Sequence, residues 1–309
     1  MRGRYGSKLV FILTFIVYLF SFYKSVNEKI EQHLFSPHQK CVCNKSHQDK
    51  AVTQAVNLNR TFCSEEAHQR GSHQKIIAFT YYGDPKSQLH KKRSYFQGIK
   101  ENAALISKLY GSDWIMRLYH DMSEDIEIMS KLCDISCELD NLDLCDVKNL
   151  PSGDFSDMLA ALWRTLPTLD PQVDILLNRD LDSRVSEREV AAVQEWLNSD
   201  KEFHVMRDHP QHIDPILAGL WGTKLTSQMV RKNWWTSLSK FFTDATFDVS
   251  NDSYGLDQVF LPLHVWTWAE SFAMQHDSYR SLNFFFIILL TIFLGVKSIQ
   301  IQLVFQPED

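Results

Sequence analysis

Two carboxylates, Asp180 and Asp182, stand two residues apart just past an apolar run, Val173-Asp174-Ile175-Leu176-Leu177. An acidic pair at a strand end can hold a hard divalent cation from one side. Mn²⁺ or Mg²⁺ takes oxygen ligands and commonly completes its shell with substrate phosphates. In parallel α/β sheets, ligands bind beyond the carboxyl ends of strands, which is where this pair falls. The alternative is two solvated aspartates where a strand runs into a helix N-terminus, a place that favours negative charge.

Further candidates surround the pair. Upstream, Phe155-Ser156-Asp157 leads into Ala160-Ala161-Leu162-Trp163-Arg164. On a helix, Asp157, Ala161 and Arg164 share one face. That face would offer Arg164's planar donors to a diphosphate and Asp157 to a sugar hydroxyl. The alternative is a polar helix face without a ligand. Downstream, Arg207-Asp208-His209-Pro210 follows a strand-like run, so Asp208 or His209 can meet a sugar. His204, His209 and His212 form a second possible set, for zinc, without the helical spacing of catalytic zinc sites. Gly219 and Gly222 bracket Trp221. Either the glycines admit a close backbone approach to a sugar with the indole on its apolar face, or they are turn glycines beside a core Trp. Asp257, in Gly255-Leu256-Asp257-Gln258, is a candidate base for an acceptor hydroxyl or a helix-N-terminal aspartate.

These residues need elements to position them. Strand-like runs are read at Lys75–Tyr82, Trp114–His120, Cys133–Leu139, Val173–Leu177 and Phe203–Arg207. Helices are read at Tyr95–Tyr110, Asp154–Leu166, after Ser186 and across Ser227–Phe242. Ser186-Glu187-Arg188-Glu189 is a capping-box pattern. Strands alternating with helices predict a mostly parallel α/β sheet flanked by helices.

The chain has 309 residues, a net charge of −6 and 44% hydrophobic residues, enough for one large core. The acidic balance argues against nucleic acid, whose backbone calls for clustered cations. The one basic run, Lys91-Lys92-Arg93, reads as a solvated helix start. Residues 1–8 are basic and precede an apolar run over 9–23, read as a signal-anchor with a cytosolic N-terminus. Residues 24–73 are polar and read as a stem. Asn44, Asn59 and Asn251 open N-x-[ST] sequons, candidate glycosylation sites. All six cysteines lie beyond the apolar run, where an oxidising lumen permits disulfides; about 15 pairings are open. Residues 281–309 are strongly apolar at first, a possible second membrane span, a buried helix or unrelated coding sequence. Together these predict a single-pass type II protein of the Golgi or endoplasmic reticulum membrane, with a luminal domain over 74–280.

Taken jointly, Ser156-Asp157 with Arg164, Asn178-Arg179-Asp180-Leu181-Asp182-Ser183-Arg184, Phe203–Pro210, Leu217–Gly222 and Tyr254–Gln258 resemble the GT-A glycosyltransferases, within a glycosyltransferase-like subgroup. The resemblance spans roughly residues 75–280, judged by motif order. It implies a GT-A-like (Rossmann-like) fold and transfer from a nucleotide-sugar donor to a glycan, protein or lipid hydroxyl. It also implies a donor site of Asp157, Arg164, Arg179, Asp180 and Asp182, and a metal on Asp180 and Asp182. His276 is then a candidate third metal ligand or simply a surface histidine. Asp257 and Asp208 become catalytic candidates, and His209, Gly219 and Trp221 contacts for the acceptor or sugar. After Ser278-Tyr279-Arg280 the apolar run replaces the polar, Pro-containing tail of that subgroup. A non-catalytic sugar- or partner-binding protein of the same fold is therefore the alternative. A phosphohydrolase with Asp180 as nucleophile fits badly, because Ser183-Arg184 stands where that chemistry usually has a small residue and Thr or Val.

Overall fold

A computed structural model of the chain describes Cys41, Cys43, residues 60–243 and residues 255–278. The main elements run α1 (Glu65–Gln69), β1 (Gln74–Tyr81), α2 (Gln88–Arg93), α3 (Tyr95–Tyr110), β2 (Trp114–His120), α4 (Ile126–Glu138) and β3 (Leu142–Asp146). A 3-10 helix (Ala160–Thr168) leads to β4 (Val173–Arg179), α5 (Glu187–Leu197), β5 (Phe203–Arg207), β6 (Leu220–Lys224) and α6 (Gln228–Thr243). Then come α7 (Leu256–Phe260), a π-helical turn (Leu261–Trp266) and β7 (Ala273–Asp277).

The seven strands form one mixed sheet in the order β3-β2-β1-β4-β6-β5-β7. Strands β1 to β4 run parallel, and β7 runs parallel to β5. Strand β6 runs antiparallel to both β4 and β5. Strands β1 and β2 are almost wholly buried, so their apolar residues stand in succession (Ile76–Phe79, Trp114–Met116) rather than in alternation. One face of the sheet packs Ile99 of α3, Leu132 of α4 and Trp196 of α5. The other packs Leu162 of the 3-10 helix, Trp234 of α6 and Phe260 of α7. This flanked α/β sheet is consistent with a GT-A-like fold.

Local chemistry explains most boundaries. Ser186 caps α5 by accepting from Glu189 N at 3.3 Å, as its pattern predicts. The stretch Cys133–Leu139 is not a strand. It lies within α4, because Met129, Leu132 and Ile135 repeat at helical spacing on the buried side and Asp125 caps the start through Ile128 N. The third strand is Leu142–Asp146. The helix expected over Asp154–Leu166 is a turn followed by the 3-10 helix.

Residues 60–73, expected in the stem, pack into the domain instead. Thr61 Oγ1 donates to Asp170 Oδ2 at 2.6 Å, and Cys63 and Ala67 are buried. The expected single-pass Golgi or endoplasmic reticulum placement is corrected: among the described residues, no helix is long and apolar enough to cross a membrane. The runs 9–23 and 281–309, the rest of the stem save Cys41 and Cys43, and Asn44, Asn59 and Asn251 lie outside the described residues.

The cysteines form three disulfides, Cys41–Cys133, Cys43–Cys137 and Cys63–Cys145. Cys133 and Cys137 are one turn apart on α4, and Cys41 and Cys43 are two residues apart, so the bridges lie side by side. Each closes a loop of more than 80 residues, the shortest separation being 82. In the chain-entropy model, a loop of that size stabilises by about 4–5 kcal/mol. Cys63→Ala with Cys145→Ala, compared with the unaltered protein by urea unfolding without reductant, is expected to lower stability by several kcal/mol. Unchanged stability would contradict the structural role of this buried bridge.

Candidate functional site

The sheet reverses direction of growth between β1 and β4. From β1 the chain moves outward to β2 and β3; from β4 it moves the other way, to β5. The carboxyl ends of two adjacent parallel strands flanking such a reversal form the usual ligand crevice of α/β folds. Asp180 and Asp182 follow β4 directly, at that place.

The loop that carries them is built from alternation. Leu181 and Val185 are buried among the residues of the α3 face, so Asp180 and Asp182 are left on the crevice side. Helix α3 holds the loop from beneath. The Asn102 amide donates to Ser183 O at 2.9 Å and accepts from Val185 N at 3.1 Å. Gly98 is essential to this approach, because a Cβ there would overlap the Leu181 carbonyl oxygen. Arg184 adds a bond to Glu101 and one to Leu181 O.

Asp180 is fixed from two sides. The Arg164 guanidinium donates to Asp180 Oδ1, to Arg179 O at 3.0 Å and to Asp257 Oδ2 at 2.8 Å. Asn178 Nδ2 donates back to Arg164 O at 3.0 Å. Burial pulls the Arg164 pKa down, but Asp180 and Asp257 outweigh it and the net shift is upward. Gly219 lies against the other Asp180 oxygen, where a Cβ would overlap the carboxylate. Its close approach is thus to Asp180. The Asp180 side chain keeps 48% exposure while Arg164 keeps 7%. Asp182 Oδ2 pairs with Arg93 Nη1, at the end of α2, at 2.8 Å.

The other expected residues lie as follows. Asp257 is buried, with Oδ1 accepting from Gln258 N at 2.9 Å and Oδ2 taken by Arg164, so it faces the guanidinium. Asp208 pairs with Arg188 at 2.8 Å at the end of β5. His209 is exposed on the following loop, with its ring 5.4 Å from His212. Asp157 is exposed in the turn before the 3-10 helix, so it does not share a helix face with Arg164.

Three expectations are corrected. Arg179 is not open to a donor: its guanidinium is buried and donates to Glu189 of α5 at 2.7 Å and to Trp221 O at 3.0 Å. Trp221 is not a sugar platform. It is buried in a stack with Phe203 and Trp234, at centroid distances of 5.6 and 4.9 Å. His276 is not beside the acidic pair. It lies on β7, three strands from β4 or about 14 Å at normal strand spacing, and it bonds His204 at 2.9 Å and Glu195 at 3.2 Å.

Sequence reading missed Gly98, Asn102 and Arg93. A glycine inside an otherwise helical run is a local sign of close backbone approach, so Gly98 was accessible. Nothing local ties Arg93 to Asp182.

No protein-family model and no curated protein matches the chain. Among solved structures, it is similar to a glycosyltransferase involved in the glycosylation of the major capsid of PBCV-1. That match has 12% identity, covers 66% of this chain and 81% of that one, and has a TM-score of 0.38. It is also similar to the apo form of the glycosyltransferase GlyE of Streptococcus pneumoniae TIGR4, at 14% identity over 72% of this chain and 52% of that one, TM-score 0.41. A 4-diphosphocytidyl-2C-methyl-D-erythritol synthase of Anaerococcus prevotii DSM 20548 matches at 14% identity over 72% of this chain and 97% of that one, TM-score 0.38. The chain spans about half the length of GlyE. Likenesses this remote do not bear on substrate or activity.

Two predictions follow from the buried groups. Removing Arg164 leaves Asp257 buried without its counter-ion, so Arg164→Ala is expected to cost about 3–5 kcal/mol in urea unfolding. A loss below about 1 kcal/mol, the worth of an exposed pair, would contradict that role. Burial pushes His120 down to about 4, against the pull of Asp146, and burial with Arg179 and His276 pushes His204 down to about 2. Both are neutral in the folded chain, while the unfolded chain takes protons near pH 6.5. Stability is therefore complete above about pH 6.5 and falls as pH drops toward 4, by about 1.4 kcal/mol per unit for each histidine. Urea unfolding at pH 7.5 and 5.0 reads this loss, and His204→Leu should reduce the slope.

Proposed function

We propose that the chain is a glycosyltransferase, moving a sugar from a nucleotide-sugar donor to a hydroxyl acceptor, with Mn²⁺ or Mg²⁺ on Asp180 and Asp182. The observation that carries this reading is the pair of carboxylates just beyond the carboxyl end of β4, at the sheet's reversal, one braced by a buried arginine. The donor set fits the ion. Each aspartate keeps one oxygen without an arginine, Asp180 Oδ2 and Asp182 Oδ1. Among the described residues, no group of three or more His, Cys, Asp or Glu that could hold a metal gathers anywhere. Two hard oxygens completed by phosphate suit Mg²⁺ or Mn²⁺. They do not suit zinc, which takes three or four protein ligands. The bound ion supplies charge neutralisation for the departing nucleoside diphosphate.

The chain's own groups do the rest. Arg164 fixes the Asp180 carboxylate and is itself oriented by Asp257, so we read Asp257 as a positioning residue. Gly219 leaves space for the second Asp180 oxygen. Asn102 and Gly98 keep the acidic loop at one height above β4. Asp208 and His209, just past the carboxyl end of β5, are the groups we assign to the acceptor. A preorganised charge array of this kind stabilises leaving-group charge without reorganising during the reaction.

Asp182→Ala is expected to abolish metal-dependent binding of a uridine or guanosine diphosphate sugar, followed by calorimetry, while the thermal unfolding profile stays cooperative. Binding as tight as in the unaltered chain would refute the site. Metal-dependent donor hydrolysis by the purified protein separates the transferase from a non-catalytic binding protein of the same fold, which would bind donor and leave it intact.

A further inference from the structure

Each aspartate of the acidic pair carries a guanidinium, and the two arginines are held very differently. Arg164 is buried and bonded to two carboxylates and a backbone carbonyl. Arg93 is 49% exposed and, among the described residues, pairs with the Asp182 carboxylate, itself 24% exposed. An ion pair this open to water is weak and readily exchanged.

The element that carries Arg93 is equally loosely held. Helix α2 buries none of its residues, and Arg93 is its last. The segment is bounded by two left-handed residues, Gly83 at φ 81° and Ser94 at φ 53°. Ser94 has a side chain and so occupies this region at a cost. The segment's main anchor is the His90 ring, in edge contact with Tyr81 at 5.4 Å and Tyr95 at 5.1 Å. Few buried contacts between two special backbone positions mark a unit that can shift without disturbing the core. The segment also carries Lys91 and Lys92, both exposed, with no acidic residue in the first turn of α2.

We infer that Arg93 is a diphosphate ligand that neutralises the Asp182 carboxylate until the cation and the donor arrive. This rests on the donor site proposed above. A divalent cation on Asp182 Oδ1 brings twice the charge to the carboxylate that Arg93 holds by Oδ2, so it weakens that half-exposed pair and repels the guanidinium. The released Arg93 then finds phosphate oxygens beside the carboxylate it has left. Its planar donors suit two of them at once. Helix α2 moves with it. Arg93 thus opposes the metal when it binds alone and favours the diphosphate when both are present.

That pair of opposite signs is the test. Calorimetry on the full chain uses Mn²⁺ alone, then inorganic pyrophosphate at saturating Mn²⁺, for the unaltered protein, Arg93→Gln and Asp182→Ala. Arg93→Gln is expected to tighten Mn²⁺ alone by a few-fold, since a repelling charge is gone. It is expected to weaken pyrophosphate by roughly tenfold or more, as for loss of a charge-assisted hydrogen bond. Arg93→Lys keeps the charge and should fall between the two. If Arg93→Gln weakens both ligands, or alters neither, while Asp182→Ala loses both, the donor site stands and this inference fails. If Asp182→Ala binds both ligands as the unaltered chain does, the donor site itself fails and takes the inference with it.

Discussion

The Arg164 guanidinium, buried between Asp180 and Asp257, is the interaction on which the site depends. A charge taken out of water is tolerated only when paired and hydrogen-bonded. Here the pairing ties together three parts of the chain distant in sequence: the 3-10 helix, the end of β4 and the start of α7. None of these can move alone without leaving a charge unpaired. The Asp180 carboxylate is consequently held at a fixed height above the sheet, half open to solvent. Gly219, the residue just before β6, completes the socket, because its lack of a side chain is what lets the chain come so near the Asp180 carboxylate.

The acidic loop shows how a rigid scaffold presents a polar pair. Leu181 and Val185 insert into the core on the α3 side, and the two aspartates flank Leu181. Asn102, wholly buried, replaces a missing strand partner by bonding the loop's backbone at two points. The result is an asymmetric site. One acid is locked by a buried cation and the other is covered by an exposed one.

Much of this was legible in the sequence, and the failures have a common cause. β2, β5 and α3 were bounded correctly because their patterns are local: short, mostly apolar runs for buried strands, helical spacing for α3. The acidic pair was found for the same reason, as a strand end is a local event. Cys133–Leu139 misled because its alternation of apolar and polar residues competes with the helical repeat of Met129, Leu132 and Ile135, and the helix won through its longer buried stripe. Trp221, Arg179 and His276 misled because each type also serves ligands, and only the sheet order decides which side chains meet the core. The antiparallel placement of β6, the edge strand β7 and the Arg93–Asp182 contact are pairings between distant segments. No periodicity in one segment encodes its partner in another.

The central claim is that Asp180 and Asp182 together receive a divalent cation from one side while phosphate receives it from the other. Anomalous diffraction from a crystal grown with Mn²⁺ and a nucleoside diphosphate measures this directly. The account predicts one manganese peak within coordinating distance, about 2.0–2.3 Å, of an oxygen of each aspartate and of the diphosphate. A peak elsewhere, or a diphosphate bound with both carboxylates still held by their arginines and no ion between, would contradict it.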